Sequence, residues 1–130
     1  MVMNLENYFK NAKAYILPET FAFIKSKKPD PHAFATIQDD KEITVIVDLK
    51  KVKKKDVIQR ENNWKVLTLD IVFPMNVCGV TAKIADCLAK AGVTIMPIAA
   101  YSRDHFLIKK PDVQKVIVAL KGIGIKVDIL

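Results

Sequence analysis

The alternation of apolar and polar positions is irregular over the first half of this chain and regular from Trp64 onward. Residues 64–70 read as a strand, and Val80, Ile84, Leu88 and Ala91 then fall on one stripe of a helix. That helix stops at Gly92, where a left-handed C-terminal cap is expected. Residues 94–101 and 105–109 form a hairpin around Ser102-Arg103-Asp104. Pro111 suits the first turn of a second helix, whose buried stripe is Val113, Val116, Ile117 and Leu120 and which ends at Gly122 or Gly124. Residues 125–129 close the series as a strand, giving the order βαββαβ.

This order predicts an antiparallel sheet with its first and third strands in the middle, its second and fourth at the edges, and both helices on one face. Pro97 agrees with an edge position for the second strand, because proline cannot donate to a ladder. Along that strand Ile95, Pro97, Ala99 and Tyr101 alternate with Thr94, Met96, Ile98 and Ala100, so both faces are largely apolar. The face without helices therefore needs a cover, either the N-terminal half or another subunit. The connection from Asp70 through Gly79 is also mostly apolar, whereas loops are ordinarily polar.

The N-terminal half reads less sharply. Leu5, Tyr8, Phe9 and Ala12 are spaced for a short helix behind Asn4. Pro18 follows Ala14-Tyr15-Ile16-Leu17, and residues 20–25 then suggest a strand. Residues 33–38 and 42–48 suit a hairpin around Asp39-Asp40-Lys41, where the two carboxylates are read as turn chemistry rather than a metal site. Residues 49–55 suggest a turn of helix, and residues 57–60 a short strand before an Asn62-Asn63 turn. Strand, aspartate turn, strand and Lys-Lys occur in residues 34–52 and again in 98–113, so the first half looks like the second without its first helix.

Composition narrows the class. With 130 residues, 51% of them hydrophobic, the chain can bury one ordinary core. No apolar run approaches the ~18 residues of a membrane span, and the start lacks the pattern of a signal peptide, so a cytoplasmic protein is expected. The net charge of +7 is spread: 12 basic and 9 acidic residues up to position 63, then 9 and 5. The run Lys50-Lys51-Val52-Lys53-Lys54-Lys55 is read as a solvated connection rather than a phosphate patch. Cys78 and Cys87 lack metal-ligand spacing and are read as core thiols.

The segments Asn63-Trp64-Lys65-Val66-Leu67, Gly79-Val80-Thr81-Ala82-Lys83-Ile84-Ala85, Leu88-Ala89-Lys90-Ala91-Gly92-Val93-Thr94-Ile95 and Ile98 to Ile108 resemble an ACT domain. They are similar to proteins built from paired ACT-like units, related to the regulatory domain of aspartate kinase and to CASTOR-type amino-acid sensors. Leu17-Pro18-Glu19-Thr20-Phe21-Ala22 and Asp40-Lys41-Glu42-Ile43-Thr44-Val45-Ile46 resemble the first unit of that family. The implied fold is α+β: a ferredoxin-like βαββαβ (ACT) unit with an antiparallel sheet at 63–130, preceded at 1–62 by a degenerate second ACT-like unit with a short leading helix.

The resemblance implies a non-catalytic regulatory protein that binds an amino acid or similar metabolite where units meet. Carried onto this sequence, the ligand-binding residues are Phe73, Pro74, Met75, Asn76, Val77, Cys78, Gly79 and Val80 of the strand-to-helix loop, with Ala99, Ala100 and Tyr101 of the neighbouring strand. The first N–H groups of the helix at Val80 lack intrahelical partners and favour a carboxylate. Gly79 permits close approach, and Asn76 either caps the helix or contacts the ligand. Many relatives carry an acidic residue where Pro74 stands and a hydroxyl residue where Cys78 stands, and Tyr101-Ser102-Arg103-Asp104 replaces Tyr-Asp-x-Asp.

Catalysis finds no support in His32 or His105, which lack partner motifs. Gly122-Ile123-Gly124 follows a helix and precedes a strand, the reverse of a dinucleotide fingerprint. No motif calls for a cofactor or metal. RNA-recognition motifs share the βαββαβ order, but the two central strands lack the necessary stacking aromatics. The other alternative is a ligand-free oligomerisation or adaptor module using the apolar sheet face. The expected partners are thus a small molecule, a second copy of the chain as a homodimer, and a regulated protein, without membrane.

Overall fold

The structure is a computed structural model describing Phe9, Lys10 and residues 12–72 and 79–130. The helix expected at residues 4–12 lies mostly outside the described residues. The chain divides into two compact units, Glu19–Lys65 on one hand and Met1–Pro18 with Val66–Leu130 on the other. The expected boundary at 62/63 falls within a single strand, and β1 groups with the C-terminal part of the chain.

In the unit that includes the C-terminal region, the elements are β1 (Ala12–Ile16), the end of β5 (Val57–Leu69), α1 (Val80–Lys90), β6 (Ile95–Ala99), β7 (Asp104–Lys109), α2 (Val113–Lys121) and β8 (Ile125–Ile129). The order βαββαβ is as expected, with β5 and β7 paired centrally and β6 at an edge. One strand departs from it. β1 lies between β5 and β8, antiparallel to the first through Ala14–Leu69 and Ile16–Leu67, and parallel to the second through Ala12–Ile125 and Ile16–Ile129. The sheet is therefore mostly antiparallel with one parallel pair.

Strand geometry explains the core, since alternate side chains share a face. Ala12, Ala14 and Ile16 of β1, Leu67 and Leu69 of β5, Phe106 and Ile108 of β7 and Ile125 of β8 are buried in one cluster with Val80, Ile84 and Leu88 of α1 and Val116 and Leu120 of α2. The helical stripes read from spacing are thus the faces that pack on the sheet. Gly92 adopts φ 77 directly after α1, where Val93 N–H donates to the Leu88 carbonyl at 2.9 Å. A left-handed residue there turns the chain out of the helix. α2 ends at Lys121 with Gly122 as its cap, and Pro111 sits in the 3-10 turn Lys110–Asp112 that leads into it. On the opposite sheet face Val66, Thr68 and Leu107 are buried too.

The unit Glu19–Lys65 contains β2 (Phe21–Ser26), β3 (Ala35–Gln38), β4 (Ile43–Asp48) and the beginning of β5, ordered β3-β4-β2-β5. This is the strand order of a βαββαβ sheet, with 3-10 turns at Leu49–Lys51 and Lys54–Asp56 in place of the second helix. Ala33, Leu49 and Val52 cover the apolar face formed by Ala22, Ile24, Val45 and Val47. The hairpin turn is built by Asp39, whose Oδ1 accepts from Lys41 N–H at 2.8 Å and Glu42 N–H at 2.9 Å. Those two donors, in that order, hold its carboxyl below the usual range.

The Asn62-Asn63 turn is corrected by the structure: β5 runs unbroken from Val57 to Leu69. Asn63 has φ 68, and the ladder to β2 shifts register between Phe21–Trp64 and Phe23–Glu61. Asparagine tolerates the left-handed region better than most residues, so the pair makes a bulge within a strand rather than a reversal.

Candidate functional site

The first strand-to-helix connection begins where β5 ends. Asp70 N–H donates to the Lys13 carbonyl at 2.9 Å, which fixes the chain as it leaves the sheet. Ile71 is half-buried and Val72 exposed. Phe73, Pro74, Met75, Asn76, Val77 and Cys78 lie outside the described residues. The connection re-emerges at Gly79, whose φ of 88 places it in the left-handed region as the N-cap of α1. Glycine adopts that conformation without the Cβ clash that other residues meet.

A glycine cap also carries no side-chain acceptor, and α1 has no acidic residue in its first turn. Serine, threonine, aspartate or asparagine at the cap would satisfy one of the free N–H groups. Among the described residues, none does so from the cap position. The helix start thus keeps the positive end of its dipole. Val80 is 7% exposed and packs into the core, so its contribution to a ligand is confined to its backbone.

Ala99, Ala100 and Tyr101 stand at the end of β6 and in the turn to β7, with Tyr101 86% exposed. The first strand of the hairpin is shorter than the sequence suggested, and the turn is correspondingly longer. β6 ends at Ala99, paired with Asp104, and Ala100 N–H donates to the Arg103 carbonyl at 3.2 Å. Arg103 Nε then donates to Asp70 Oδ1 at 2.8 Å, joining this turn to the end of β5. Asp70, through its hydrogen bond and then its charge, raises the Arg103 pKa further. The ion pair therefore holds the β6–β7 turn beside the start of the strand-to-helix connection, although the two residues are far apart in sequence.

A second polar pair lies deeper on the same sheet. Thr68 Oγ1 and His105 Nδ1 are 2.8 Å apart, with Thr68 buried and His105 half-buried. Desolvation lowers the His105 pKa; Asp104 opposes it and Arg103 assists. A neutral ring with its proton on Nε2 accepts the threonine hydroxyl, and a protonated ring donates to it, so the bond persists in either state. Neither polar pair was read from sequence. Their partners come from different strands, and no local spacing encodes them.

The remaining candidates fall into structural roles. Cys87 is a free, half-buried thiol that donates to the Ala119 carbonyl at 3.3 Å, linking α1 to α2. Burial raises its pKa, with smaller opposing effects from Lys83 and Lys90 and a reinforcing one from Asp86. In the basic run, Lys53 lies 3.5 Å from Asp30, while Lys50, Lys51, Lys54 and Lys55 lie in the two 3-10 turns. Among the described residues, no group of three or more histidine, cysteine or carboxylate side chains is placed to hold a metal ion. Nor is any helix among them long and apolar enough to cross a membrane.

Residues 59–122 match the family model of the ACT domain, which spans the strand-to-helix connection, both helices and the hairpin. No curated protein matches the sequence. The chain is similar in fold to a protein from Agrobacterium tumefaciens (TM-score 0.78, 16% identity, 92% of this chain and 94% of that one). It is similar also to a Vibrio cholerae protein described as a possible transport protein (TM-score 0.76, 20% identity, 92% and 95%). The ligand-free regulatory subunit of aspartate kinase from Thermus thermophilus has the same fold (TM-score 0.65, 10% identity, 88% and 97%). Residues 59–122 thus match an ACT domain, and the chain has the fold seen in the regulatory subunit of aspartate kinase.

Proposed function

We propose that this chain is a non-catalytic regulatory protein of the cytoplasm that binds an amino acid at the first strand-to-helix connection of its ACT domain and acts as a homodimer. The observation that carries the reading is the left-handed Gly79 at the head of α1, within the matched family region and, as a glycine, with no side chain of its own to cap the helix. Such a start offers backbone donors and a positive dipole to a carboxylate. The β6–β7 turn, which holds Ala100 and Tyr101, is tied to the end of β5 through Arg103 and Asp70 and supports placing the site there.

Thermal-shift measurements over the common amino acids test this. A ligand that binds only the native state raises the melting temperature, by about 2.7 kcal/mol of added stability at one hundred times its dissociation constant. Gly79→Asn, a residue that tolerates positive φ, places a side chain at the helix start and is expected to abolish the shift while the protein stays folded. A stable dimer that responds to no amino acid would favour the adaptor reading instead. Salt-sensitive binding of single-stranded RNA would displace both.

A further inference from the structure

The exposed edge of β8 is self-complementary. Leu130 N–H donates to the Ile16 carbonyl, so the even-numbered residues of this strand direct their backbone groups toward β1. Ile125, Val127 and Ile129 then direct theirs outward, because successive residues of a strand point their amides to opposite sides. Among the described residues β8 pairs with β1 alone, which leaves that outward row of donors and acceptors open.

We propose that β8 pairs antiparallel with β8 of a second copy of the chain, about a two-fold axis through Val127. This inference rests on the homodimer reading and names its surface. In that register Val127 faces the partner's Val127, and Ile125 faces the partner's Ile129. Lys126 faces the partner's Asp128, and Asp128 faces the partner's Lys126. The outward backbone groups of all three odd positions meet their counterparts. The neighbouring two-fold registers set Lys126 against Lys126 or Asp128 against Asp128, where like charges directly opposite are unfavourable. Charge thus selects one alignment.

Two further features favour this edge. Lys126 is paired in register with Lys13 of β1, and neither Lys126 nor Asp128 has an ion-pair partner among the described residues. The partner's Asp128 would supply the missing counter-charge. Beside the strand, Ile117, Lys121, Ile125 and Val127 line a groove of about 490 Å³, and Ile129 is 56% exposed. Pairing places the partner's Ile129 next to Ile125, at the mouth of that groove.

The opposite edge is less suited. Ala100 N–H bonds to the Arg103 carbonyl, so the same alternation points Pro97 outward from the middle of β6. Proline has no N–H to give a partner strand.

Sedimentation equilibrium of the full chain tests the interface, with circular dichroism to check folding. The wild type is expected to dimerise, and Asp128→Lys or Lys126→Asp alone to raise the dimer dissociation constant about tenfold or more, since the axis applies each change twice. The double variant Lys126→Asp with Asp128→Lys restores opposite charges and is expected to recover dimerisation. A folded dimer insensitive to both single changes, or unrecovered in the double variant, would overturn this surface but leave the homodimer reading standing. A wild type that remains monomeric at all concentrations would overturn both.

Discussion

Leu88 tests the packing of α1 on the sheet most sharply. It is fully buried in the cluster that joins both helices to β1, β5, β7 and β8. Leu88→Ala removes three carbons, worth about 2.4 kcal/mol at roughly 0.8 kcal/mol per buried group. The vacated space adds up to about 2 kcal/mol more if its walls stay in place. The neighbours are drawn from four strands and another helix, so collapse around the gap is resisted and a total of about 3–4 kcal/mol is expected. Urea unfolding measures it directly, with an expected fall in melting temperature of roughly 10–15 °C. Val118→Ala in α2 is the control: Val118 is 70% exposed, and its loss should stay within about 0.5 kcal/mol. A Leu88→Ala cost below about 1 kcal/mol would mean that α1 does not bury this stripe.

Two other perturbations probe features absent from a pattern reading. A histidine whose folded pKa is depressed stabilises the fold above its unfolded value near 6.5, and that contribution is lost as pH falls through the lower folded value. His105→Gln should therefore flatten the decline in urea stability between pH 7.5 and 5.5; equal slopes for variant and wild type would refute the desolvation argument. At the bulge of β5, Asn63→Val should cost about 1–2 kcal/mol because a β-branched residue resists φ 68, whereas Asn63→Gly should be nearly neutral. Similar losses for both in thermal unfolding would point to a side-chain role for Asn63.

What the sequence disclosed follows from the range of the interactions. Val80, Ile84 and Leu88 lie three or four apart on a helix, and Gly92 ends it through a local conformation, so both were legible. The hairpin at Asp39 was legible for the same reason, as its carboxylate bonds only two and three residues onward. β1 was not. Ala12, Ala14 and Ile16 do alternate with Lys13 and Tyr15, but their insertion between β5 and β8 depends on partners more than fifty residues away. Asn62-Asn63 misled because asparagine favours both turns and left-handed bulges, and only pairing with β2 decides between them.

The proposed site divides along the same line. Gly79 was legible as the residue at which the helix begins, and the structure adds its left-handed backbone. The tie from Arg103 to Asp70 was not, since an ion pair between a turn and a strand end leaves no periodic trace. Side chains such as Val80 illustrate a further point: a residue beside a site can belong to the core and offer only its backbone.

Isothermal titration calorimetry of the full chain with each common amino acid addresses the central claim most directly. Saturable heat with at least one of them, lost in Gly79→Asn while that variant remains folded, is the predicted result. No binding heat from any amino acid at millimolar concentration, or binding that Gly79→Asn leaves unchanged, would contradict an amino-acid site at the start of α1.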